Sequence, residues 1–277
     1  VDKSQIREKN TMDKFRRWAV QHQYLASIGL SILLCGVYTA MLLCIHAPWW
    51  GILTIDFVCL FTGWSYPTAC QNKLMLKSMQ PLFNACDPYP LLHETEELLQ
   101  YCKPGIAQQI LQLNHCMALG EIGEFQKALD MLNAINIDKY TGTHPLNKYV
   151  YYNNLTCFSE ALGDLRTANI YGTKAKQIYA DIKDSKLKRK YAQHVQFNTA
   201  EEYYKCGEYS KALEILRGMT PEHALRGVEI AMLQGLIYRD MGDAEQAKAN
   251  FAYVIRNGNK LHKVTVARQY LIELQSE

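Results

Sequence analysis

The 277 residues carry 30 Lys and Arg against 27 Asp and Glu, a net charge of +3, too mild to mark a nucleic-acid surface by itself. Nine cysteines, an odd number with no C-x-x-C pair and no regular framework, argue against a secreted disulfide scaffold and suit a reducing compartment. The length leaves room for one membrane module and one domain of ordinary size.

Residues 1–23 form a basic, polar segment in which Lys14, Phe15, Arg16, Arg17 and Trp18 precede an apolar run. The chain opens on valine, so charge counts at this end are provisional. Residues 24–45 carry no charge. That length crosses a hydrocarbon core of about 30 Å and exceeds the 7–15-residue core of a cleaved signal peptide. A short link, His46-Ala47-Pro48, leads into a second apolar run, 49–66, interrupted by Asp56. Residues 24–66 are therefore expected to form a two-span membrane hairpin. Trp49 and Trp50 would mark the far interface, and Trp18 and Trp64 the near one. Lys14, Arg16 and Arg17 before the hairpin, with Lys73 and Lys77 after it, place both ends in the cytoplasm or its topological equivalent by the positive-inside rule.

Asp56 falls near the centre of the second span, where an aspartate costs about 2.5–3.5 kcal/mol on insertion scales. Intramembrane acids are functional candidates by default. The structural alternatives are a protonated carboxyl, a bond to a polar group of the first span or another subunit, or a run that does not fully cross. The functional alternative is pairing with a basic residue of a partner's membrane helix.

Residues 67–105 read as a juxtamembrane linker and helix: 67–86, with Pro67 and Pro81, as a linker or short helix, then, after Asp87-Pro88-Tyr89-Pro90, a helix that ends at Lys103-Pro104-Gly105. Beyond it four turns recur: GEFQKAL from Gly123, GDLRTAN from Gly163, GEYSKAL from Gly207 and GDAEQAK from Gly242. The glycines lie 40, 44 and 35 residues apart, in the range of helical-pair repeats. Glycine can take the left-handed conformation that closes a helix. The acid after it can accept orphan N–H groups of the next helix and complement its dipole. Five residues on stands Ala128, Ala168, Ala212 or Ala247, small enough for close helix approach.

Helix pairs are expected over 106–119 and 124–135, 145–162 and 164–182, 187–205 and 208–217, and 221–241 and 243–257. A final amphipathic helix over 264–275, with Val266, Tyr270, Leu271 and Leu274 inward, reads as the polar-backed cap of an open stack. No strand-like alternation competes. The predicted class is all-α: a two-span hairpin followed by a solenoid of four helix pairs and a capping helix, with 106–277 as the repeat domain.

Residues 106–257 resemble tetratricopeptide (TPR) repeats. The small residue of each first helix falls on Cys116, Thr156, Ala200 and Gly235. The residue three further on is Leu119, Ser159, Tyr203 and Tyr238, and the large residue nine after each glycine is Leu132, Gly172, Leu216 and Phe251. The third repeat matches best; the second departs most, at Ser159 and Gly172. The resemblance implies a concave face, lined by first helices, that binds a protein or peptide partner. The liners it selects are Asn153, Cys157, Glu160, Phe197, Glu201, Tyr204, Met232, Leu236 and Arg239. No Lys/Asn clamp for a C-terminal carboxylate is recognisable.

Catalytic chemistry finds no foothold. H-E-x-x-H, G-x-S-x-G, P-loop and dinucleotide fingerprints are missing, and no histidines pair at i, i+4 as metal ligands. No cofactor, metal, small-molecule substrate or nucleic acid is expected. His115 beside Cys116 reads as a surface imidazole next to a core thiol. Glu94, Glu96 and Glu97 read as a solvated face, and the basic run 183–190 as a solvated loop and helix start that could touch anionic lipid or an acidic partner. Asn154-Leu155-Thr156 matches a glycosylation acceptor but falls inside a predicted helix. The expectation is a membrane-anchored adaptor that binds a partner, including another membrane protein, at the cytosolic face. The alternative is an accessory subunit assembled through the hairpin and Asp56.

Overall fold

A computed structural model describes residues 3–140 and 144–276, with side chains from residue 11 to residue 275 within those limits except at residue 190. Among the described residues every regular element is an α-helix. In chain order they are α1 (Lys3–Gln21), α2 (Gln23–Cys44), α3 (Trp49–Ala85), α4 (Tyr89–Tyr101), α5 (Ile106–Glu121), α6 (Phe125–Asn133), α7 (Pro145–Ala161), α8 (Leu165–Asp181), α9 (Ser185–Lys205), α10 (Tyr209–Arg217), α11 (Ala224–Asp240), α12 (Ala244–Asn257) and α13 (His262–Ser276). They form two compact units, Val1–Ser78 with Glu94–Gln108, and Met79–His93 with Gln109–Glu277.

In the first unit, α2 and the start of α3 run antiparallel. Their contact is made of small groups: Ser27 and Ser31 are buried, and a Cβ on Gly63 would lie 2.8 Å from the Ser27 carbonyl oxygen. Such small residues let two helix backbones approach closely. Further along the seam, Thr39 Oγ1 donates to Asp56 Oδ1 at 3.0 Å. The opposite faces point outward and are apolar, with Ile32 68% and Phe57 71% exposed. α2 is the one described helix long and apolar enough to cross a membrane, by length and composition.

Two expectations for this unit change. Of the linker and the short helix open for residues 67–86, the chain forms the helix, and not as a separate short one: α3 continues through Pro67 and Pro81 to Ala85. Each proline removes one ladder bond, and flanking turns and buried residues such as Leu74 and Leu82 hold the helix together. The acids of α4 are not simply solvated either. Arg17 Nη2 meets Glu94 at 2.5 Å and its Nη1 meets Glu97, while Glu96 stays exposed. Burial pushes the Glu94 carboxyl up, against the pull of Arg17.

The second unit holds the helix pairs α5/α6, α7/α8, α9/α10 and α11/α12. Gly123, Gly163, Gly207 and Gly242 have φ of 88°, 82°, 74° and 80°, the left-handed turn that the sequence predicts, and Ala128, Ala168, Ala212 and Ala247 are fully buried behind them. The acids divide by length. Asp164 and Asp243 accept from the Thr167 and Gln246 N–H groups, each at 3.1 Å. Glu124 and Glu208, one methylene longer, make no cap bond and pair instead with Lys127 and Lys211.

The stack is not open as expected. α13 packs on α12, where Phe251 and Tyr270 stack at 5.3 Å, and also reaches the first pair. The His262 ring meets Phe125 edge-on at 5.5 Å, and Lys263 Nζ lies 2.8 Å from Glu121. Its buried stripe is therefore Val264, Ala267 and Leu274, with Val266, Tyr270 and Leu271 half-buried. A helix contacted on two sides cannot keep all its charge outside. His115 is likewise buried beside Cys116, not on the surface, because α5 is enclosed on more than one face. The Asn154 amide nitrogen is enclosed within α7, out of reach of glycosylation. In the basic run, Asp184 caps α9 through the N–H groups of Lys186 and Leu187; the side chain of Lys190 lies outside the described residues.

Candidate protein-interaction surface

Each turn glycine sends the next helix back along its partner, so facing positions across a pair must share one volume. Cys116 and Leu132 are buried in one core cluster, and Ala200 and Leu216 in another, a small residue with a large one each time. Gly235 takes this to its limit, since a Cβ there would lie 2.7 Å from the Phe251 ring. The second pair reverses the order: Thr156 stands opposite Gly172, and a Cβ on Gly172 would sit at an ordinary 3.5 Å from Thr156 Cγ2. Where the other pairs hold Leu or Phe, this one has no side chain.

A cavity of about 540 Å³ opens there, between α7, α8 and α9. Of the residues that the sequence selects, Asn153, Cys157, Glu160 and Glu201 line it together. Phe197 and Met232 are buried instead, Phe197 under the Arg226 guanidinium at 5.0 Å. Tyr204 donates its hydroxyl to Asp240 at 2.8 Å. Arg239 pairs with Asp240 at 2.7 Å and lies 4.4 Å over the Tyr270 ring, and Leu236 is half-buried. None of these five lines the cavity; Phe197 and Tyr204 reach from α9 to α11, and Arg239 from α11 to α13. The α8 wall, with Gly172, Thr173 and Lys176, was not selected from the sequence; its signal was the departure at Gly172.

The polar groups of the cavity are mostly engaged. Asn198 Nδ2 donates to Asn153 Oδ1 at 2.6 Å, tying α9 to α7. Lys205 meets Glu160 at 2.6 Å and Lys176 meets Glu202 at 2.8 Å. Glu201 lies among these groups, and its carboxyl is pushed up to about 7, first by burial and then by Glu160 and Glu229, against the opposing pull of Lys205. Cys157 is an exposed residue that opens on the cavity, yet the enclosure around its thiol, with Glu201 and Glu160 nearby, pushes the thiol up. Among the described residues no group of three or more His, Cys, Asp or Glu is arranged to hold a metal ion.

Asp56 is partnered within its own unit through Thr39, the polar-group alternative among those that the sequence leaves open. Neither the curated proteins nor the solved structures contain a match to the chain. The profile of the SusR N-terminal TPR domain matches residues 92–254. With the left-handed glycines and the buried alanines behind them, that match places the chain in the family of the SusR N-terminal TPR domain.

Proposed function

We propose that this protein is a membrane-anchored TPR adaptor that holds a protein or peptide partner in the cavity between α7, α8 and α9. TPR domains serve protein–protein interaction, and the observation that carries the reading is the cavity left where the second pair lacks its large residue. Anchoring is supported by α2, whose most apolar stretch is only 11% buried, and by the outward apolar side chains of α3. In this reading α2 and the first half of α3 cross the bilayer, and both chain ends face the cytoplasm. Tethering raises the effective concentration of a partner in the same membrane, so a weak site suffices. The role is binding, without catalysis or cofactor. The Thr39–Asp56 bond favours the adaptor over an accessory subunit assembled through Asp56, since the Asp56 side chain already has a partner inside the hairpin.

Two measurements test this. In sealed vesicles of known orientation, a membrane-impermeant maleimide should label a variant keeping only Cys44, which is exposed near the link, from outside. One keeping only Cys206, exposed beside a repeat turn, should be labelled only after permeabilisation. Labelling of both from the same side would remove the two-span topology. Proximity labelling from the C-terminus should mark a protein that is lost with Thr173→Trp, which fills the cavity; an unchanged set of labelled proteins would remove the docking site.

A further inference from the structure

The charges around the cavity do not balance, and the imbalance has a sign. Its lining contains three carboxylates, Glu160, Glu201 and Glu202, and two ammonium groups, Lys176 and Lys205. Lys205 is held by Glu160 and Lys176 by Glu202. The groups facing Glu201 from farther elements are also matched. Glu229 on α11 pairs with Arg226 at 2.7 Å, and Lys263 on α13 pairs with Glu121 at 2.8 Å. Lys205 reaches Glu201 only through its field. Glu201 is thus a carboxylate on a cavity wall with no ion pair of its own among the described residues, while every cation around it has another acid.

Resting on the docking reading above, we infer that the cavity receives a lysine or arginine side chain from an extended segment of the partner protein, with Glu201 as its counter-ion. The walls suit both parts of such a side chain. Ala175, Val195 and the Tyr179 ring give its methylene stem apolar cover, and Glu201 meets the charged head. An acidic side chain or a C-terminal carboxylate would meet three carboxylates and is rejected.

The test pans a phage library of random dodecapeptides against the full chain in nanodiscs. Wild type should enrich peptides that share a Lys or Arg at one fixed position of a common motif. Synthetic copies should lose about tenfold or more in affinity when that residue becomes norleucine, or when the protein carries Glu201→Gln, as expected for loss of one charge-assisted contact. Glu201→Lys should shift the enrichment to acidic peptides, a reversal that misfolding does not produce. Affinity for wild type should also rise from pH 6 to pH 8 and stay flat for Glu201→Gln. Enriched peptides without a shared basic residue, or with equal affinity for Glu201→Gln, would overturn the inference and leave the docking reading standing. A library that yields no enriched peptide overturns both. Spermidine that competes for the site as tightly as the peptides would assign it to a polyamine instead.

Discussion

Replacing Gly172 should strengthen the fold and weaken docking, an opposition specific to a cavity kept open at a cost in stability. The residue lies inside α8, where glycine costs about 0.5–1 kcal/mol relative to alanine through its backbone freedom. An added Cβ meets nothing closer than Thr156 Cγ2 at 3.5 Å, so Gly172→Ala should recover that amount without strain. For a domain of 150–250 residues, each kcal/mol moves the midpoint by about 2–4 °C, so the expected rise is about 1–4 °C. Gly172→Leu restores the large residue of the other pairs and should add up to about 2 kcal/mol of burial while filling the cavity. Thermal unfolding of the full chain in detergent, followed by far-UV circular dichroism, measures the first effect, and loss of the proximity-labelled partner the second. Gly235→Ala is the contrasting control, because its Cβ would lie 2.7 Å from the Phe251 ring and should cost about 1–3 kcal/mol by overpacking. A fall in midpoint for Gly172→Ala, or full retention of the partner by Gly172→Leu, would refute the reasoning.

The turn glycines should differ among themselves. Gly163→Ala meets open space and suffers only its φ of 82°, about 1–2 kcal/mol, whereas Gly123→Ala adds an approach of 2.5 Å to His262 Nδ1 and should unfold at lower denaturant. Because the folded pKa of Glu201 is raised from 4.5 to about 7, the native state binds more protons than the unfolded chain between those values. Stability therefore falls as pH rises through that window, by an amount on the order of 3 kcal/mol, and urea titrations of Glu201→Gln should lack that part of the loss. Thr39→Val leaves Asp56 without its donor inside an apolar hairpin, and should cost about 1–3 kcal/mol, read as faster proteolysis of the first unit in detergent. Arg17→Ala should destabilise the same unit by about 2–4 kcal/mol, since it removes the partner of the enclosed Glu94 carboxylate.

The helices and their turns were legible in the sequence because their causes are local. A left-handed glycine, an acid after it and a small residue five positions on act within one turn and its flanks, and Gly123, Gly163, Gly207 and Gly242 behave alike. Even the cap chemistry could have been graded locally, since aspartate reaches the N–H of its own helix and glutamate prefers the lysine three residues on. The cavity was half legible: the departure at Gly172 marked a gap, but not which helices surround it.

What only the tertiary structure decided lies between residues distant in sequence. The contact of α13 with the first helix pair, through His262 and Lys263, turns a supposed outer face inward, and hydrophobic periodicity cannot register a helix covered on two sides. The pairing of Arg17 with Glu94 and Glu97 across about 80 residues converts an apparent solvated face into a joint. Glu201 looked like one acid among several on the first helices; its lack of an ion pair emerges only when Lys205, Lys176, Arg226 and Lys263 are each seen to be taken. Local propensity fixes where a helix starts and stops, while the balance of charge and volume inside a cavity depends on which helices meet there.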